Sequence, residues 1–317
     1  DRFTAPLYVA SIAALQGWNA SLIYNYSQVG LQAPGPEEER HRIDKWSTYC
    51  DPACSGVMPA AAIAFRRGHI SPARLSYCLK LAPEQLFGRT LSPENHTATI
   101  RTLIEQSRLT IGMPAVKELP WLTPSEPGAD VTVVTDPDHD YIPGDALQVR
   151  ADTGELLRNW KEGYQLIDTP KTQAASGWIG GKTLALRDAT FEFRTSKATV
   201  ALSSIDDKPL AQSRFILITA VGQCRSSPAT DRGRISPGRA AEYLPFLSEP
   251  VIGTIRLRNK TPGLELLALG SGGRVVSRQV PRYESDSMIV NLPVGQGTHW
   301  YVLKSRPPVK HPEPAKP

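Results

Sequence analysis

The chemically distinctive residues near the start of the chain are aromatic. Trp18, Tyr24, Tyr26, Trp46 and Tyr49 fall close together, interleaved with Asn19, Asn25 and Gln28. Flat aromatic faces suit the apolar C–H faces of sugar rings, and side-chain amides can hydrogen-bond hydroxyl groups. Trp18, Asn19, Tyr24, Asn25, Tyr26 and Trp46 are therefore the candidate binding residues, with simple core packing as the competing reading. By the same reasoning Trp160, Trp178 and Trp300 are candidate glycan contacts in the second half, again weighed against packing.

Other constellations carry less. Cys50 and Cys54 enclose Asp-Pro-Ala, which resembles half of a zinc site. No second close pair follows, and His41 and His69 are not at ligand spacing. A local disulfide in an oxidising compartment, or free buried thiols, is the better reading. Asp136-Pro137-Asp138-His139-Asp140 alternates carboxylates as a calcium loop would, but Tyr141 stands where the loop needs glycine and Leu147 where it needs glutamate. It reads as a solvated turn. Gly180-Gly181-Lys182-Thr183 ends like a phosphate loop yet lacks the earlier glycine, and reads as a tight turn. There is no G-x-S-x-G elbow, and no histidine neighbours an obvious nucleophile in sequence. No residue is assigned a catalytic role, and neither a metal nor another cofactor is expected.

The elements that must hold these residues change character along the chain. Residues 3–16 read as a helix, with Leu7, Tyr8, Ile12 and Leu15 at helical spacing and several alanines between them. The β-prone run from Ala20 to Tyr26 reads as a buried strand. Residues 31–48, with the charged run from Glu37 to Arg42, read as a solvated loop. A second helix is expected from Val57 to Arg67, closed by Gly68. Leu75, Tyr77, Leu79 and Leu81 alternate as in a strand, and Ser92-Pro93-Glu94 opens a third helix running to about Arg108. Pro114, Pro120, Pro124 and Pro127 mark a linker.

After residue 128, short β-prone runs recur between turns: 131–135, 146–151, 164–168, 190–193, 199–204, 215–221, 253–258, 264–269, 275–280, 287–292 and 300–303. Such spacing predicts a β-sandwich. Residues 305–317 hold five prolines and read as a disordered tail.

Composition narrows the function classes. Lys plus Arg total 36 against 31 Asp plus Glu, and the basic residues are scattered, which argues against nucleic acid as a partner. A 40% hydrophobic content supports a packed core, and no apolar run approaches the ~20 residues of a membrane span. The 28 prolines among 317 residues disfavour a helical bundle. Asn19, Asn25, Asn95 and Asn259 begin N-x-S/T sequons, which points to an extracellular or periplasmic setting. Asn19 and Asn25 are expected to be buried and so incidental. With Asp1 first and no signal-peptide pattern, the chain reads as a processed product or a piece of something longer.

Particular phrases add a resemblance. Ala13-Ala14-Leu15-Gln16-Gly17-Trp18-Asn19 followed by Leu22-Ile23-Tyr24-Asn25-Tyr26 resembles the last barrel strand of large bacterial TIM-barrel glycoside hydrolases. Asp51-Pro52-Ala53 and the segment from Pro59 to Gly68 look like the stretch that comes after that strand in those proteins. Asp152–Leu156 and Ile167–Gln173 are similar to the β-sandwich that closes them. The resemblance spans residues 1–304. It implies an α/β part followed by an all-β part: 1–115 as the final strand and helix units of a (β/α)8 barrel, 116–130 as linker, 131–304 as β-sandwich and 305–317 as tail. It also implies a carbohydrate substrate, a missing N-terminal barrel half as partner, and a retaining pair of glutamates ~5 Å apart that would lie upstream of Asp1. Position 19 is commonly Asp in such relatives and is Asn here. The competing function is a non-catalytic carbohydrate-binding or structural β-sandwich of a secreted protein. An adhesion or assembly module tethered by the Pro-rich tail rests on composition alone.

Overall fold

The computed structural model describes residues 2–27, 48, 51–87, 97–226, 246–295 and 297–305. Four α-helices occur among them: α1 (Ala5–Leu15), α2 (Pro52–Arg66), α3 (Pro83–Phe87) and α4 (Ala98–Leu103). None is long and apolar enough to cross a membrane. Strands β1 (Ser76–Lys80), β2 (Arg108–Gly112) and β3 (Val131–Val134) form a small parallel sheet with β1 in the middle.

The remaining strands are β4 (Gln148–Arg150), β5 (Leu156–Asn159), β6 (Tyr164–Asp168), β7 (Thr172–Trp178), β8 (Thr183–Ala185) and β9 (Ala189–Phe193). After them come β10 (Lys197–Ser204), β11 (Phe215–Val221), β12 (Cys224–Ser226), β13 (Phe246–Ser248), β14 (Gly253–Leu257) and β15 (Leu264–Leu269). The last are β16 (Val275–Gln279), β17 (Arg282–Glu284), β18 (Ser287–Leu292) and β19 (Trp300–Ser305). A nine-stranded antiparallel sheet runs β16-β15-β19-β11-β10-β7-β6-β5-β4, and a five-stranded one runs β17-β18-β14-β9-β8. β12 and β13 pair separately.

The two large sheets face each other across a shared core. Val200, Leu202, Ile216, Ile218, Leu264, Leu266, Tyr301 and Leu303 come from one sheet; Phe191, Phe193, Ile255, Leu257, Met288 and Val290 come from the other. The step of two along each strand is the pleat putting alternate side chains on one face.

The outer face of the nine-stranded sheet is covered as well. Ile167, Ala174, Ala201 and Val221 contact Phe3 and Leu7 beside and within α1, and Val57, Ala60 and Ala64 of α2. This second core explains β10, buried from Ala198 to Ser204 without alternation. A strand covered on both faces loses its polar side. The alanines on both partners let helix and sheet backbones approach closely.

Both helices are framed by local chemistry. In α2, Asp51 caps the N-terminus by accepting from the amides of Ala53 and Cys54 at 3.0 and 3.1 Å, with Pro52 at the first helical position. Arg2 pairs with the Asp51 carboxylate. In α1, Gly17 (φ +68°) closes the C-terminus while Trp18 N–H reaches back to Ala13 O at 2.9 Å. Gly68 (φ +58°) does the same for α2.

Two expectations are corrected. The chain is predominantly β among its described residues, and no strand–helix barrel pattern is present there. The N-terminal helices do not wrap a parallel barrel; they lie on the sandwich, because the apolar outer face of the nine-stranded sheet is where their own apolar sides can be buried. The run Ala20–Tyr26 is not a buried strand. It is irregular, and Leu22 (92%) and Tyr24 (74%) are largely exposed, because no neighbouring strand among the described residues pairs with it. Residues 116–130 contain no helix or strand. The charged run 37–42, the opening of the third helix at 92–94 and the tail from 306 lie outside the described residues, although α4 appears downstream with Thr97 as its cap.

Candidate functional site

A large cleft lies at one end of strands β5–β7 of the nine-stranded sheet, where they meet α1. Trp160 follows β5, Tyr164 begins β6 and Trp178 ends β7. The register Asn159↔Tyr164↔Gly177 brings these positions to one end of the sheet. The β5–β6 turn is tightened by Gly163 N–H donating to Asn159 O at 3.0 Å and Glu162 N–H to Asn159 Oδ1 at 2.9 Å. Gly163 has φ +72°, and a Cβ there would meet Trp178 Cδ1 at 2.6 Å, so glycine is required for the indole to lie where it does. Trp178 is 49% exposed and Trp160 38%. Lys197 Nζ sits 4.0 Å from the Trp178 ring centroid, a cation–π contact that helps hold the indole.

The cavity between the two indoles has a volume of about 620 Å³, and a neighbouring one of about 620 Å³ shares Arg158 and Trp160 with it. Both fall in the size range of small-molecule clefts. Polar groups sit between the aromatic walls. Gln165 Nε2 is buried without a hydrogen-bond partner. Buried amide donors normally find one, so this group in the cleft wall has an unused hydrogen-bonding capacity. Glu105 lines the neighbouring cavity: its Oε1 accepts from Tyr8 OH at 2.6 Å and from Arg158 Nη1 at 2.7 Å. Burial, then the adjacent Glu105, pushes the Tyr8 phenol well above its ordinary pKa, so it remains a donor. Arg158 also lies over the Tyr8 ring at 4.9 Å. The groove combines aromatic faces with polar side chains.

The sequence-derived site residues fall on the other flank of α1. Trp18 (55%), Tyr24 and Tyr26 (59%) are exposed, as is Asn19; Asn25 is half-buried with its Oδ1 unpartnered. Thr48 N–H bridges Asn25 O and Tyr26 O at 3.1 and 3.2 Å. Of the set, Tyr24 lines a pocket of about 310 Å³ with Leu22, Ile23 and Val9. Trp46, Gln28 and Tyr49 lie outside the described residues. Ala5 lines both this pocket and the Trp160–Trp178 groove, so the two surfaces flank the first turn of α1.

Of the three tryptophans in the second half, Trp160 and Trp178 frame the groove, while Trp300 donates to Gly56 O of α2 at 2.7 Å and serves packing. Sequence reasoning missed Tyr8, Glu105, Arg158 and Gln165. Tyr8 reads as one more apolar position of α1, and no local signal links it to a strand residue far along the chain.

The weaker motifs resolve as turns. Asp136 Oδ1 accepts from Asp138 N–H at 2.9 Å, and Asp140 pairs with Arg101 at 2.8 Å; no metal cluster occurs among the described residues. Gly181 (φ +72°) turns the chain, and Lys182 binds Glu162 at 2.8 Å. Cys54, Cys78 and Cys224 are free thiols, and Cys50 is outside the described residues. Burial raises the Cys54 pKa to about 11. Asn259 is fully buried, its amide donating to Leu210 O and Ser213 O at 2.7 and 2.9 Å, so its sequon is closed to glycosylation in the folded chain. Asn19, expected to be buried, is exposed.

No protein-family model, curated protein or solved structure matches the chain.

Proposed function

We propose that this chain is a carbohydrate-binding β-sandwich protein, the glycan-engaging part of a glycoside hydrolase system. The observation that carries the reading is the Trp160–Trp178 groove: two partly exposed indoles flank a cleft containing the unpartnered Gln165 amide. Sugar rings present apolar C–H faces to indoles and hydroxyl acceptors to buried amides. The phrases that resemble glycoside hydrolases agree in substrate class. Hydrolysis is not assigned to any carboxylate of this chain; Glu105 is held by Tyr8 and Arg158 in the wall of the neighbouring cavity.

The test is titration of the full chain against a panel of soluble polysaccharides, by affinity electrophoresis and calorimetry. At least one glycan should bind, and Trp178→Ala should weaken it about tenfold, the value of an aromatic contact worth ~1.4 kcal/mol. Gln165→Leu should weaken it while leaving the melting temperature unchanged or higher, since it removes an unmatched donor. An absence of binding across the panel, or binding indifferent to both substitutions, would refute the proposal.

A further inference from the structure

Another pocket lies away from the groove, where the strand pair β11–β19 meets the chain leaving β13 and the end of β15. It has a volume of about 340 Å³ and contains Ser248 and His299. Ser248 Oγ stands 2.6 Å from His299 Nε2, although the two are 51 positions apart in sequence. Cys224 Sγ lies 3.3 Å from the same Oγ and donates to it. The thiol also lies 3.9 Å from Gly222 O, and in the tautomer that carries its proton on Nδ1 the His299 Nε2 accepts from the Ser248 hydroxyl. Ser248 is exposed, so a reactant can reach it.

The imidazole is held in place. Ala220 N–H donates to His299 O at 2.8 Å, continuing the β11–β19 ladder. The ring rests against α2 at Gly56, where a Cβ would meet Nδ1 at 2.8 Å. The Trp300 indole, donating to Gly56 O, fixes helix and strand together at that point. Burial lowers the His299 pKa, so the ring is neutral at neutral pH and its free nitrogen is available to take a proton. The Cys224 thiol is pushed the other way, upward, also by burial, which disfavours a thiolate.

We infer that Ser248 and His299 form a nucleophile–base pair that hydrolyses small carboxylic esters. His299 Nε2 takes the hydroxyl proton as Oγ bonds to the ester carbonyl carbon. The carbon–oxygen bond to the alcohol breaks, and the alcohol leaves with the proton returned by His299. Water, deprotonated by the same imidazole, then attacks the acyl-serine, releasing the carboxylic acid and restoring Ser248. The acyl side is short and uncharged: Pro250, Val251, Leu269 and Trp300 supply apolar walls, and Glu249 at the pocket opposes an anionic chain. The esterase site is independent of the glycan groove.

The full chain should hydrolyse p-nitrophenyl acetate and butyrate with saturation. Ser248→Ala and His299→Ala should each lower kcat/KM on the order of 100-fold or more. The rate should rise with pH through an inflection below 6.5, as the imidazole loses its proton. A fluorophosphonate probe applied to the unmodified protein should leave its adduct on Ser248, located by peptide mass spectrometry; this arm does not depend on any variant folding. Labelling elsewhere or not at all, or ester hydrolysis that survives Ser248→Ala at the original rate, would overturn the assignment.

Discussion

Ala201 is the position that best separates the observed packing from a free-standing sandwich behind a linker. It lies on β10 with its side chain on the outer face of the nine-stranded sheet, fully buried against α1 and α2. Were that face open to solvent, glutamate at 201 would be an ordinary surface residue. In the structure it must enter a space lined by Phe3, Leu7, Val57 and Ala60. Forcing added atoms into a packed core costs roughly 1–3 kcal/mol. A carboxylate without a partner there costs a further several kcal/mol unless it is protonated. The sum, about 4 kcal/mol or more, is a large part of the ~5–15 kcal/mol that holds a typical domain. Ala201→Glu is therefore expected to lower the urea midpoint severely or to prevent folding. Val276→Glu on β16, at a position 64% exposed, should shift stability by less than ~0.5 kcal/mol. Equilibrium unfolding followed by tryptophan fluorescence measures both. If Ala201→Glu were as harmless as Val276→Glu, the helices would not cover the sheet and the shared core would be wrong.

Gly163→Ala should cost ~1–2 kcal/mol for its left-handed backbone and should also displace the Trp178 indole, weakening glycan binding more than an alanine at Gly154, which has open space around it. Comparing the two variants in the same binding assay checks this. Stability should depend on pH through His69, which is buried, bonded to Thr172 Oγ1 at 2.8 Å and 3.4 Å from Asp207. Burial lowers its pKa, outweighing the Asp207 hydrogen bond that raises it. The unfolded chain then binds the proton more readily than the folded one, so stability is full above pH ~6.5 and falls as pH drops from there through the folded value. His69→Asn should flatten that part of a urea-midpoint profile; an unchanged slope would show that His69 is not the group responsible.

Local features were legible in the sequence because their causes are local. Helical spacing of Leu7, Tyr8, Ile12 and Leu15 foretells α1. The alternation around Tyr77 and Leu79 foretells β1. Strand runs such as 164–168, 215–221 and 287–292 reappear in β6, β11 and β18. Failures trace to causes elsewhere in the chain. β7 (Thr-Gln-Ala-Ala-Ser-Gly-Trp) has no polar–apolar alternation to read, because helices cover one of its faces and the opposing sheet the other. β2 hides beside a proline-rich stretch and exists because β1 offers it a ladder. The run Ala20–Tyr26 is rich in strand-forming residue types and has no partner strand among the described residues, so it stays irregular.

The sequence alone determined whatever depends on a few adjacent residues: where glycines end helices, where alternation makes a strand, and which runs can enter a sheet. Only the tertiary structure decided which faces those elements bury, and so whether α1 and α2 belong to a barrel or a sandwich. It also decided that Tyr8, Glu105, Arg158 and Gln165 meet beside Trp160 and Trp178, and that Ser248 meets His299. Those meetings are set by strand order and sheet coverage, and the burial that drives them is non-directional, so it leaves no short-range pattern from which the pairing could be read.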